Sequence, residues 1–154
     1  MPQTTQFSVF TANKPGVLAE VCRTMAREKI NITGMSMMDA AESGVLRLIT
    51  DKPDSARVAL QRMNIPMTET DVLAITLPNR VGAVADLCER LSNAHVHIAY
   101  MYATTGGRGA NATVVFKVGD VKKAVRAIEA PGRLSTGKDM KIKLRHPPRV
   151  ARRR

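Results

Sequence analysis

The sequence matches itself. Sliding it by 66 positions sets Asn13 on Asn79, Gly16 on Gly82, Ala19 on Ala85 and Cys22 on Cys88. The same register then sets Ile32 on Ile98, Met35 on Met101 and Asp54 on Asp120. Conservative pairs fill the intervals: Lys14 with Arg80, Glu20 with Asp86, Val21 with Leu87 and Met25 with Leu91. No gap is needed from the stretch "FTANKPGVLAEVC" through Asp120. A chain of 154 residues carrying such a repeat is expected to build one small supersecondary unit twice.

Each copy reads in the same order. "QFSVFTA" alternates Phe7 and Val9 with polar neighbours, the period of a half-buried strand. After Pro15 the residues Val17, Leu18, Val21, Cys22 and Met25 fall on one helical face. "INITGMSMM" and "SGVLRLIT" are strand-like, and "DAAES" between them is a hairpin-sized link. A second helix is expected near Asp54, read as its N-cap, with Ala56, Ala59, Leu60 and Met63 at helical spacing. The second copy repeats this with a helix on Val84, Leu87, Cys88 and Leu91, then strands "VHIAYMYAT" and "ANATVVFKV". A helix on Val121, Ala124, Val125 and Ile128 follows, one residue out of step with its counterpart in the first copy, and a last strand is expected at "MKIKLR". "MTETDVLAITL", which joins the copies, contains no Gly or Pro, so the fourth strand of one copy should run almost directly into the first strand of the next. The expected fold class is α+β: two βαββαβ units in tandem, antiparallel sheets with helices on one face. The expected boundaries are residues 1–70, 71–144 and a tail over 145–154.

Charge is distributed unevenly. Residues 1–116 carry 11 Lys and Arg against 10 Asp and Glu, whereas residues 117–154 carry 13 against 3. Nearly all of the net +11 therefore belongs to the last quarter, which ends in "RHPPRVARRR". Two prolines and no apolar period make that end read as a solvated basic extension. The N-terminus has no charged region followed by an apolar run, so no signal peptide is expected. No apolar run approaches the ~18 residues of a membrane span. Two Cys do not suggest a disulfide scaffold. The expected location is the cytoplasm.

A strand ending in "NKPGVL", an apolar helix, and "INI" opening the second strand resemble an ACT domain. The likeness is to the serine-binding regulatory domain of phosphoglycerate dehydrogenase, which shares Asn-x-Pro-Gly-Val-Leu and Asn-Ile. "NRVGAV", "VHI" and "YMYAT" in the second copy are similar to the second half of small standalone tandem ACT proteins. The resemblance covers about residues 5–144. It implies a ferredoxin-like fold that binds a small molecule, usually an amino acid, and regulates something else. It also implies side-by-side pairing, with ligand between the first loop of one unit and the second strand of its neighbour. Two units of about 70 residues have limited cores, so continuous sheets or a homodimer are expected to help their stability. By that resemblance Asn13 and Asn31 match the two Asn used for serine. In the second copy Asn79 is kept and His97 replaces the second Asn, so pairing by pseudo-twofold symmetry would join Asn13 with His97 and Asn79 with Asn31. A His that also contacts serine in the relatives is Thr11 here and Leu77 in the second copy, a departure that speaks against serine.

Elementary chemistry points to the same place. The first turn of a helix has backbone N–H groups without internal partners, and with the helix dipole they attract a carboxylate. Gly16 and Gly82 let a ligand approach that backbone closely, and Pro15 gives up a donor that a helix start can spare. Asn13 and Asn79 each offer one acceptor and two donors, suited to an ammonium and a carboxylate together. The candidate ligand-binding residues are Asn13, Lys14, Pro15, Gly16, Val17 and Leu18 at the first entrance, with Asn31 and Ile32 at the following strand. In the second copy they are Asn79, Arg80, Val81, Gly82, Ala83 and Val84, with His97 and Ile98. The simpler reading of each entrance is a helix cap and a turn.

Other features read as structural. Cys22 and Cys88 sit in apolar helix faces as small hydrophobes. His95 and His97 share a strand face, but no third ligand follows at metal-site spacing. His95 reads as a surface residue at a helix exit. "TTGGRG" lacks the Lys-Ser/Thr of a phosphate-binding loop and reads as a hairpin. No nucleophile, base and oxyanion site assemble, so no enzyme, metal or cofactor is expected. Two rivals stay open. The chain could be a regulatory subunit or interaction module acting on a metabolic enzyme or transcription factor. It could instead bind nucleic acid through its basic end. The RNA-recognition fold shares the βαββαβ order, but Ala110 and Ala112 stand where its stacking aromatics belong, which disfavours nucleic acid.

Overall fold

The computed structural model of the chain describes residues 3–11, 15–40, 43–105 and 111–130. The elements are β1 (Gln3–Thr11), α1 (Val17–Arg27), β2 (Ile32–Ala40), β3 (Ser43–Thr50) and α2 (Pro53–Arg62), followed by β4 (Met67–Pro78), α3 (Ala83–Asn93), β5 (Ile98–Thr105), β6 (Asn111–Val118) and α4 (Val121–Glu129). Two compact units result, one spanning Thr4–Val72 and the other starting at Leu73. The border falls inside β4, an unbroken strand of 12 residues. One copy therefore passes directly into the next, as the lack of Gly and Pro in "MTETDVLAITL" led us to expect.

In the first unit the strands lie in the order β2-β3-β1-β4, with β1 and β2 each antiparallel to β3. Phe7 stands opposite Leu48 and Val9 opposite Leu46, so one face of the sheet carries a patch of large apolar side chains. Val21 and Met25 of α1 and Ala56, Ala59 and Leu60 of α2 pack on that patch, and all nine are buried. Both helices thus cover one face, the ferredoxin-like arrangement. The helical period of Val21 and Met25 and the strand period of Phe7 and Val9 are two halves of one core.

The second unit repeats the layers. Its strands run β4-β6-β5, with Ile75 opposite Val114 and Leu73 opposite Phe116 in an antiparallel pair. Leu87 and Leu91 of α3 and Ala124 and Ile128 of α4 close over them. Cys88 packs at the margin of this core, the hydrophobe's place foreseen for it. The expected strand "MKIKLR", residues 106–110 of the glycine-rich hairpin and the basic tail lie outside the described residues.

One expectation is corrected. The repeat is not gapless through Asp120: β2 and β5 begin 66 apart, but Ser43 of β3 matches Asn111 of β6, an offset of 68. The second hairpin is two residues longer, and Asp54 and Asp120 are not equivalent. Asp120 is a true N-cap whose side chain accepts from the Lys123 N–H at 2.9 Å. The N-cap of α2 is Lys52, with Pro53 in the first turn, and Asp54 lies inside the helix, where it pairs with Arg57 at 2.7 Å. Pro53 supplies the fixed φ that suits a helix start, so this helix begins without a side-chain cap.

Candidate ligand-binding site

Each entrance is a strand end, a short turn and a helix start. Asn13 and Lys14 lie outside the described residues. Gly16 is the N-cap of α1, with φ +95° and ψ −19°. Gly82 is the N-cap of α3, with φ +86° and ψ −12°. Neither helix has a side-chain cap hydrogen bond, and the cap residue of each is the glycine. Pro15 precedes the cap instead of opening the helix as expected. Among the described residues, a Cβ built on Gly16 would meet nothing within 4 Å. Backbone conformation, not crowding, therefore calls for glycine here. Val17 and Leu18 are half-buried, Leu18 against the first core. Ala83 is buried and Val84 half-buried against the second core, while Val81 is fully exposed.

The strand starts are fixed by a shared helix ending. Lys29, after α1, has φ +54°, and the N–H groups of Lys29 and Ile30 donate to the carbonyls of Ala26 and Met25. After α3, His95 has φ +51°, and His95 and Val96 donate to Ser92 and Leu91. This is the Schellman pattern, with buried Ile30 and Val96 as its apolar closure. It leaves His95 exposed at a helix exit, as read from the sequence. Asn31 and His97 follow directly, both exposed. The Asn31 N–H donates to the Asp51 carboxylate at 2.8 Å and its carbonyl accepts from the Asp51 N–H at 3.0 Å. The His97 carbonyl accepts from the Gly119 N–H at 3.1 Å. A register irregularity follows in each edge strand, between Ile32 and Gly34 and between Ile98 and Tyr100.

Within a unit these two groups of residues are not brought together. Gly16 and Asn31 sit at opposite ends of α1, whose 11 residues span about 16 Å. Gly82 and His97 are separated in the same way by α3, also 11 residues long.

The electrostatics of the two copies differ. Arg80 Nη2 donates to Asp86 Oδ2 at 2.7 Å, the Asp86 side chain being 6% exposed, and Arg80 Nη1 donates to the Val81 carbonyl at 3.1 Å. At the matching position of the first copy Glu20 is exposed. Asp86 was not among the residues singled out from the sequence; an acid six residues after an Arg at a helix start was the available signal. Thr11 is buried and donates to the Gly44 carbonyl at 3.5 Å, and Leu77 belongs to the second core. Neither offers a polar group to a ligand arriving from solvent. Elsewhere Arg57 donates from Nε and Nη2 to both oxygens of Glu69 at 2.6 and 2.8 Å, which raises the guanidinium pKa and lowers that of Glu69. Burial pushes the Cys88 thiol up. Among the described residues no three His, Cys, Asp or Glu side chains gather as metal ligands, and no helix is long and apolar enough to cross a membrane.

Comparison with known proteins agrees with the fold. The family model "ACT domain pair" matches residues 3–135. Protein BT0572 from Bacteroides thetaiotaomicron is 34% identical, with a TM-score of 0.76 over 83% of this chain and 88% of that one. The ligand-free regulatory subunit of aspartate kinase from Thermus thermophilus is 14% identical, with a TM-score of 0.61 over 83% of this chain and 91% of its own. The corresponding subunit from Thermus flavus gives 14% and 0.57 over the same shares; at this identity the likeness is one of fold. No curated protein matches the chain. A βαββαβ unit whose order recurs in the second copy through α4, with a glycine-capped helix entrance in each copy and a family match along residues 3–135, places this chain in the ACT domain pair family, a family of regulatory domains.

Proposed function

We propose that the chain is a non-catalytic regulatory module whose helix entrance takes the carboxylate of an amino acid or a similar small metabolite. The observation that carries the reading is Gly16: a left-handed N-cap without a side-chain cap bond, with nothing among the described residues within 4 Å of where a Cβ would stand. A carboxylate there meets the positive end of the α1 dipole. Asn13, Lys14, Pro15, Val17 and Leu18 would form its walls. The separation of Gly16 from Asn31 along α1 supports a site completed by the strand start of an ACT unit in a second copy of the chain, through Asn31 and Ile32 or His97 and Ile98. The matching residues Asn79, Arg80, Val81, Gly82, Ala83 and Val84 form the second entrance.

A thermal-shift screen of the full chain with each of the twenty amino acids at millimolar concentration tests this. A ligand at 100 times its Kd adds about 2.7 kcal/mol, a rise of several degrees for a chain of this size. No shift with any of them contradicts the reading.

A second reading, a module that acts through self-association or on a partner enzyme or regulator, draws on one feature. The edge strand β2 exposes Met35, Met37 and Met38, and exposed apolar side chains on a sheet edge suit a protein contact. Sedimentation velocity tests it: a monomer at all concentrations would count against the expected homodimer.

A further inference from the structure

We infer that Arg80 and Asp86 form an internal plug: the Asp86 carboxylate is the resident anion of the second helix entrance, which takes no carboxylate ligand until the pair opens. The inference deepens the proposal above, since it rests on reading the entrances as carboxylate cradles.

Three observations build it. Asp86 lies in the first turn of α3, so its negative charge already faces the positive end of that helix. Its side chain is 6% exposed and held at 2.7 Å by Arg80 Nη2, a charge-assisted bond of the strong kind. The other arm of the guanidinium, Nη1, donates to the Val81 carbonyl at 3.1 Å and stands 3.7 Å from where a Cβ of Gly82 would be. The arginine therefore bridges the turn from Arg80 to Gly82, one nitrogen on the carbonyl and one on the acid. A planar fork can hold both acceptors at once, which an ammonium cannot do with the same geometry.

An incoming carboxylate would seek two things here, a cation and the helix end. The cation is already held by a carboxylate tethered in the same turn, and that carboxylate also sets a negative charge in the first turn of the helix. A free ligand must compete with an intramolecular carboxylate, whose effective concentration is far above that of a solute. The first entrance is built differently where the structure describes it. Glu20, at the position of Asp86, is exposed, and nothing among the described residues approaches Gly16.

Acetate is the probe. The full chain, labelled with ¹⁵N, is titrated with sodium acetate at fixed ionic strength while the amide signals of Gly82, Ala83 and Val84 are followed. In the wild type these amides are expected to show no saturable shift. In Asp86→Ala, which leaves Arg80 without its carboxylate, they are expected to saturate with at least tenfold tighter apparent affinity, and adding Arg80→Met should abolish the effect. If Asp86→Ala does not fold, Asp86→Asn keeps the shape without the charge and is read in the same way. Saturable wild-type shifts as tight as those of the variant would overturn the plug, as would a folded variant that shows none. Failure of the amino-acid screen would leave this outcome untouched, whereas amino-acid binding by the wild type without acetate capture by the variants would sink the plug alone.

Discussion

Gly16 and Gly82 hold the same left-handed backbone conformation, φ +95° and +86°, each as the N-cap of an 11-residue helix in its own unit. The match in conformation, 66 residues apart, explains why glycine recurs at this step of the repeat while its neighbours vary between Pro15 and Val81. Replacing either with Ala forces an L side chain into left-handed space, at a cost of roughly 1–2 kcal/mol. At Gly16 no clash adds to it, since nothing among the described residues stands within 4 Å. Chemical denaturation of Gly16→Ala should therefore show a loss of about that size; an unchanged midpoint would mean that the turn relaxes freely.

The opposite sign is expected at the helix ends. Lys29 and His95 have φ of +54° and +51° at the position where glycine is preferred. Lys29→Gly and His95→Gly should each gain stability, by up to about 1 kcal/mol, with a higher denaturation midpoint.

Arg80→Met strands the buried Asp86 carboxylate, whose partner at 2.7 Å is lost. Hydrogen bonds to charged groups are worth roughly 1.5–3 kcal/mol, and the partial exposure of Arg80 places the expected loss in the lower half of that range. Equilibrium unfolding at neutral pH reads it directly.

The bond pair between Arg57 and Glu69 gives an acid dependence. Glu69 is held below its ordinary value of 4.5, chiefly by the hydrogen bonds from Arg57. Its stabilising contribution is thus present above the unfolded value and is lost as pH falls through the lower folded value. The stability gap between wild type and Glu69→Gln should be constant near neutrality and should close below about pH 4.5, as followed by denaturation at a series of pH values.

Cys88 should be slow to alkylate. Burial raises its thiol pKa, so less thiolate is available at neutral pH, and access adds a second brake. Iodoacetamide at pH 7.5 should modify Cys88 more slowly than it modifies free glutathione, as read by mass spectrometry of the peptide that contains it.

Much of the fold was legible because the repeat and the two periods agree. Phe7 and Val9 alternate, Val21 and Met25 recur at helical spacing, and both patterns close on one core. The hairpin offset was hidden because Asp54 and Asp120 match by chance in the wrong register. The strand starts Ser43 and Asn111 and the helix starts Pro53 and Val121, each 68 apart, expose the two extra residues. At the site, the glycines were legible because few other residues tolerate their backbone. The plug was not, since Arg80 and Asp86 meet only once the turn and the helix start fold them onto each other. Nor did the sequence place Gly16 and Asn31 at opposite ends of one helix until the helix length was known.

The central claim is that the first helix entrance holds the carboxylate of an amino acid. Amide NMR of the full chain, titrated with the amino acid giving the largest thermal shift, tests it most directly. Saturable shifts centred on Gly16, Val17 and Leu18, weakened at least tenfold by Gly16→Ala, are the expected result. Saturable shifts elsewhere with these three amides unmoved would contradict it.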